Sequence, residues 1–202
     1  MKLINTLLTV LLITLLPSLG WNDNYEEELY EEGLFAAKSG DYETAFEILM
    51  PLALRGDADS QRFFGAWYRG DAGGLTDYQA SLRWFRLAAK NGNAMAHGDI
   101  GGMYFHGMGV PKDHQMSFKW YKLGAELGDK SSMNQLGVLY KFGWGVTKDI
   151  VRAYMWFNID ASLTNETVNY NRDNTELEMT PDQIFTAQTL STECLQRNFK
   201  DC

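Results

Sequence analysis

The chain has 202 residues, 45% of them hydrophobic and 22% charged, with a formal charge of −8 and two cysteines. A net acidic chain is a poor match for the phosphates of nucleic acid, so nucleic-acid binding is set aside. The charge is uneven: residues 21–61 hold 11 acidic against 2 basic side chains, residues 62–153 hold 7 against 12, and residues 154–202 hold 8 against 3.

Residues 1–20 read as a signal peptide. Lys2 supplies a positive start, Leu3 to Leu16 a 14-residue apolar run, and Ser18-Leu19-Gly20 the small residues a signal peptidase needs before Trp21. The run falls short of the roughly 20 residues of a membrane-spanning helix, and Asn5, Thr6, Thr9 and Thr14 dilute it. No later segment is long and apolar enough to span a bilayer. A soluble mature chain is expected, periplasmic or secreted.

A fixed period begins with the next segment. Asp41, Asp77, Asp113 and Asp149 stand 36 residues apart. In the same register come Gly65, Gly101 and Gly137, then Tyr68, Tyr104 and Tyr140, and then Trp84, Trp120 and Trp156, each followed by a second aromatic residue. A period of this size predicts a solenoid, in which each unit is too small to bury its own apolar face and must stack on its neighbours.

Within a period, residues 93–128 show the design. Ala96, Ile100, Gly101 and Tyr104 share one face at helical spacing, Gly107 and Gly109 end that helix, and Asp113 caps the next one through its carboxylate. Each period is thus two helices, A and B, with an aspartate starting every B helix. A mid-helix glycine costs about 1 kcal/mol relative to alanine. Three of them in register point to close approach of helices opposite the large aromatics.

The segments Phe64-Gly65 with Tyr68, Ile100-Gly101 with Tyr104 and Gly107-Met108-Gly109-Val110, and Leu136-Gly137 with Tyr140 and Gly143-Trp144-Gly145-Val146 resemble the Sel-one-like repeat (SLR). The resemblance implies an all-α, right-handed α-solenoid of helical hairpins, with three repeats over residues 57–163. Residues 21–56 look like a related tetratricopeptide hairpin with a shorter loop, in which Pro51 is expected to kink the B helix. Asp160 and Thr164 depart from the repeat pattern, so the solenoid is expected to stop there. Residues 164–202 then form a C-terminal capping segment: a polar stretch to Met179, a helix started by Thr180-Pro181-Asp182-Gln183, and a disulfide between Cys194 and Cys202.

Catalytic and cofactor signals are weak. The Gly-x-Gly loops followed by Lys112 and Lys148 lack the strand and spacing of a phosphate loop. His97, His106 and His114 lack metal-ligand spacing, and no G-x-S-x-G or S-x-x-K motif occurs. No cofactor, metal or catalytic residue is assigned. Some exported relatives with a cysteine pair in each repeat have been linked to penicillin binding or β-lactam hydrolysis. This chain has no cysteine in its repeats, so an envelope hydrolase of β-lactams or peptidoglycan is only the alternative, beside a secreted host-interaction factor. The expected function is a non-catalytic protein-interaction scaffold in the bacterial envelope. Its partner, a protein or peptide of acidic character, would dock on the variable row Arg62, Ala66, Arg69; Gly98, Gly102, Phe105; and Asn134, Val138, Lys141, with Phe105 as the apolar anchor.

Overall fold

The computed structural model describes residues 23–71, 74, 76–164 and 169–202; residues 1–20, expected to be a signal peptide, lie outside them. The described residues form ten α-helices and no strand, as an all-α repeat fold requires. They divide into two compact units, one ending at Gly92 and one beginning at Asn93.

The first unit holds α1 (Asp23–Lys38), α2 (Tyr42–Arg55), α3 (Ala58–Arg69) and α4 (Tyr78–Lys90). Helix α1 packs on α2, α2 on α3 and α3 on α4. Leu49, Leu52, Ala53 and Phe64 are buried at its centre, walled by Leu29, Phe46 and Trp84. Pro51 lies inside α2 and does not end it, since the helix runs on to Arg55.

The second unit holds α5 (Ala94–His106), α6 (His114–Glu126), α7 (Lys130–Phe142), α8 (Ile150–Thr164), α9 (Tyr170–Glu176) and α10 (Pro181–Gln196). Its core gathers Tyr121, Met133, Leu136, Leu139, Met155, Trp156 and Ile159. Trp156 is 1% exposed, and burying an aromatic side chain of this size contributes roughly 2–3 kcal/mol.

The sequence period becomes a set of repeated bonds. Asp41, Asp77, Asp113 and Asp149 each accept a backbone N–H three residues on, at 3.2, 2.9, 2.9 and 2.9 Å. Each such N-cap is worth about 1 kcal/mol. The backbone N–H of Asp77, Asp113 and Asp149 also donates to the carbonyl of Tyr68, Tyr104 and Tyr140, at 2.8, 2.9 and 2.9 Å, which closes each A–B loop. A second ladder caps the A helices: Asp57, Asn93, Asp129 and Asn169 accept from the third residue on at 2.7, 2.8, 2.9 and 3.0 Å. The glycines do mark close approach. A methyl group on Gly65, Gly101 or Gly137 would press into the ring of Phe85, Tyr121 or Phe157 on the partner B helix.

The C-terminal segment differs from the expectation. The polar stretch contains a helix, α9, capped by Asn169. Asn171 Nδ2 donates to Asn134 Oδ1 at 2.9 Å, and Lys141 Nζ donates to Thr175 Oγ1 at 3.2 Å, so α9 runs alongside α7 in the same direction. The caps of α5 and α7, Asn93 and Asp129, are 36 residues apart, whereas those of α7 and α9, Asp129 and Asn169, are 40 apart, so α9 lies outside the repeat register. Helix α10 also packs on α8, where Ser191 Oγ donates to the Met155 carbonyl at 3.2 Å, so α9 and α10 both cover the last repeat helix. Asp160 leaves the repeat pattern for a reason: its carboxylate accepts from Asn169 Nδ2 at 3.3 Å and so holds the α9 cap. The expected capping box at Thr180 and Gln183 is present. So is the Cys194–Cys202 disulfide. It ties the tail to the core through buried Cys194, with Phe199 packed beside it.

Candidate functional site

The row inferred as a binding face divides between the two units, and each part has its own surroundings. In the first unit Arg62, Ala66 and Arg69 lie half-buried on α3. Arg69 Nε donates to Asp71 Oδ2 at 2.6 Å, and its guanidinium lies 4.9 Å from the centre of the Phe85 ring. Arg62 sits in the field of Tyr30. Burial, and then the negative charge of Asp59, pushes that phenol up to about 12, with Arg62 opposing the rise. Both arginines thus already serve charges and rings of their own unit.

In the second unit half of the row lies against neighbouring segments of the stack. A methyl group on Gly98 would sit 2.6 Å from Ser132 Oγ and 2.8 Å from Asp129 Oδ2, so Gly98 is where α5 meets the start of α7. Asn134 holds Asn171, and Lys141 holds Thr175 and, at 3.0 Å, Glu178. These three positions are half-buried and lie against the neighbouring helix or the segment that follows it. The cause is geometric: the stripe at i, i+4 and i+7 that looks outward from one hairpin looks toward its neighbour in the stack. Gly102 and Val138 are half-buried. Phe105, also half-buried, leads to a different surface.

That surface lies at the Gly-x-Gly loops. Gly143 and Gly145 both take a left-handed backbone, each at φ 72°. A methyl group on Gly145 would collide with the backbone carbonyl of His114, so the loop lies directly on the first turn of α6. Trp144, carried between the two glycines, is pinned as a result. Its ring stacks on Phe142 at 4.9 Å and on His114 at 6.0 Å, and tilts against Phe105 at 5.4 Å. Phe105 in turn meets His114 and His106 edge-on at 4.8 and 4.9 Å. Phe142 remains 56% and Trp144 39% exposed. Aromatic side chains held this rigidly lose little further entropy when a partner covers them.

The patch has a basic rim. Lys112 and Lys148, at equivalent positions of successive loops, are exposed; Lys112 Nζ lies 5.8 Å from the Phe105 ring centre, and Lys148 packs its Cβ beside Gly143. The arrangement can bind apolar groups flanked by anions. Trp144 is the residue missed by the sequence reading. Its signal was present, an indole held between two glycines where the preceding repeat has Met108.

Other titratable groups serve the scaffold. Tyr154 donates to Glu176 Oε2 at 2.8 Å, and burial, then this bond, raises its pKa. Burial likewise raises that of Tyr140. His97 lies against Trp120, away from the other two histidines. Among the described residues no group of three His, Cys, Asp or Glu side chains could hold a metal ion.

A family model described as the Sel1 repeat matches residues 58–93, 94–129 and 130–159. No curated protein matches the chain. Among solved structures, a Sel1 repeat protein from Oxalobacter formigenes is 33% identical with a TM-score of 0.55, over 63% of this chain and 94% of that one. A protective antigen of uropathogenic Escherichia coli strains with an SLR fold is 23% identical with a TM-score of 0.56, over 86% of this chain. The present chain spans 47% of that antigen's length.

Proposed function

The chain belongs to the Sel1 repeat family, whose members generally mediate protein interactions, and from that premise we propose that it is a non-catalytic docking module of the bacterial cell envelope. The observation that carries the reading is the pinned Phe142–Trp144 pair with its lysine rim. Aromatic residues and a surrounding polar ring are the usual composition of an interface centre. Phe105 keeps its role as an apolar anchor in this reading, now as the floor of the patch. Export is supported by the apolar segment at residues 3–16 and by the Cys194–Cys202 bond, which an oxidising compartment maintains.

The test is crosslinking capture in intact cells, with the wild-type chain beside a Phe142→Ala/Trp144→Ala variant. One protein partner recovered by the first and lost by the second is the expected result. Equal recovery by both rejects the patch as the docking site. N-terminal sequencing of the purified protein checks export, since a mature chain should begin at Trp21.

A further inference from the structure

We propose that the partner of this patch is the acidic outer face of α1 on a second copy of the same chain. The proposal rests on the reading of the patch as a docking surface and adds the identity of its occupant. Helix α1 turns Leu29, Tyr30 and Gly33 toward the core of its unit. Its opposite stripe, at i, i+3 and i+7, carries Glu28, Glu31 and Phe35. All three are exposed, Phe35 to 74%. Glu27 and Glu32 flank them, also exposed. An aromatic ring displayed among carboxylates is the counterpart of two aromatic rings displayed among lysines.

The segments that bear the two faces differ in charge. Residues 21–61 carry 11 acidic against 2 basic side chains, whereas residues 62–153 carry 12 basic against 7 acidic. The loops bearing Lys112 and Lys148 are neighbours, since a methyl group on Gly145 would meet the backbone of His114, and the seven helical steps from Glu28 to Phe35 span about 10 Å. Phe35 would lie on Phe142 and Trp144 while the glutamates face the lysines. The two copies use different surfaces, so the contact is head-to-tail and can propagate to further copies.

The experiment is sedimentation velocity on the full-length mature chain over a concentration series, with thermal melts to confirm that each variant folds. The wild type should show a mass that rises with concentration at low salt and falls back toward monomer near 1 M salt, where charges are screened beyond about 3 Å. Lys112→Glu/Lys148→Glu and Glu28→Lys/Glu31→Lys should each need at least tenfold higher concentration to associate. An equimolar mixture of the two variants should regain association, because each supplies the face that the other lacks. A wild type that stays monomeric throughout overturns the proposal, as does association unaffected by either reversal. If self-association fails while Phe142→Ala/Trp144→Ala still loses a crosslinked partner, the docking surface stands with a different occupant. If that variant also loses nothing, both readings fall.

Discussion

A methyl group on Gly101 would sit 2.9 Å from Cδ1 of Tyr121, on the facing helix of the same hairpin. Tyr121 is 6% exposed and cannot swing aside into solvent. Alanine at position 101 gains about 1 kcal/mol of helix propensity, but overpacking a core costs about 1–3 kcal/mol. Gly101→Ala is therefore expected to destabilise the second unit by about 1 kcal/mol net. Gly102→Ala is the control, since its methyl group would meet only the Tyr121 hydroxyl, at 3.4 Å. Urea denaturation decides: a lowered midpoint for the first and an unchanged or raised one for the second are expected. Equal midpoints would remove close packing as the reason for the repeated glycine.

Gly145→Ala combines two insults, a left-handed backbone at φ 72° and a collision with the His114 carbonyl. Gly143→Ala carries the same backbone strain, but its methyl group would meet Lys148 Cβ at 3.3 Å instead of a rigid carbonyl. Left-handed strain alone costs about 1–2 kcal/mol. The first variant should therefore lose more stability than the second and should release Trp144 from His114. The readout is the anisotropy of Trp144 fluorescence in a chain whose other tryptophans are replaced by phenylalanine. Anisotropy that falls equally in the two variants contradicts the pinning of Trp144.

The parts of this fold that were legible in the sequence are those set by local chemistry. An aspartate whose carboxylate caps its own helix leaves a mark at a fixed offset, and four such marks at a constant period define the hairpins. Helix α9 was not legible. Its seven residues, Tyr170–Glu176, are polar throughout, and their partners Asn134, Lys141 and Tyr154 are distant in sequence. Only Asn169 hinted at it, as a residue suited to an N-cap. At Gly98, Asn134 and Lys141 the binding row also lies against neighbouring segments, which the sequence does not reveal, because helical periodicity separates inner from outer faces of one hairpin. It does not say which outer face the next hairpin covers. Trp144 escaped because the period marks the two glycines and not the residue between them, which is Met108 in the preceding loop.

Since α9 is held by tertiary bonds, loosening them should free it without unfolding the hairpins. Lys141→Ala removes the bond to Thr175 and the ion pair to Glu178, and its side chain is 16% exposed. A bond of this kind contributes about 1 kcal/mol, so amide exchange over residues 170–178 should quicken about fivefold. The exposed Arg152–Asp149 pair, at 3.2 Å within one helix start, is the control. Surface pairs contribute little, and Arg152→Ala should leave the exchange of α9 unchanged. Hydrogen-exchange mass spectrometry reports both. Equal protection in the two variants would mean that Lys141 does not hold α9.

Alkaline stability should follow the tyrosines. Tyr30 has its pKa pushed up to about 12, first by burial and then by Asp59, while Arg62 pulls the other way. A phenol raised in the folded state favours the neutral form there. Its contribution to stability is fully present below the unfolded value of about 10 and is lost as pH climbs through the folded value. Tyr140 and Tyr154 shift in the same direction, so the second unit shares the trend. Helicity should hold to about pH 10 and fall between there and about 12, the value for Tyr30, together with the late part of the absorbance titration at ~295 nm that reports phenolate. Tyr30→Phe keeps the ring and deletes the titrating group, so the first unit should lose its alkaline sensitivity in this window. A variant that loses helicity at the same pH as the wild type would show that ionisation of Tyr30 does not limit the fold.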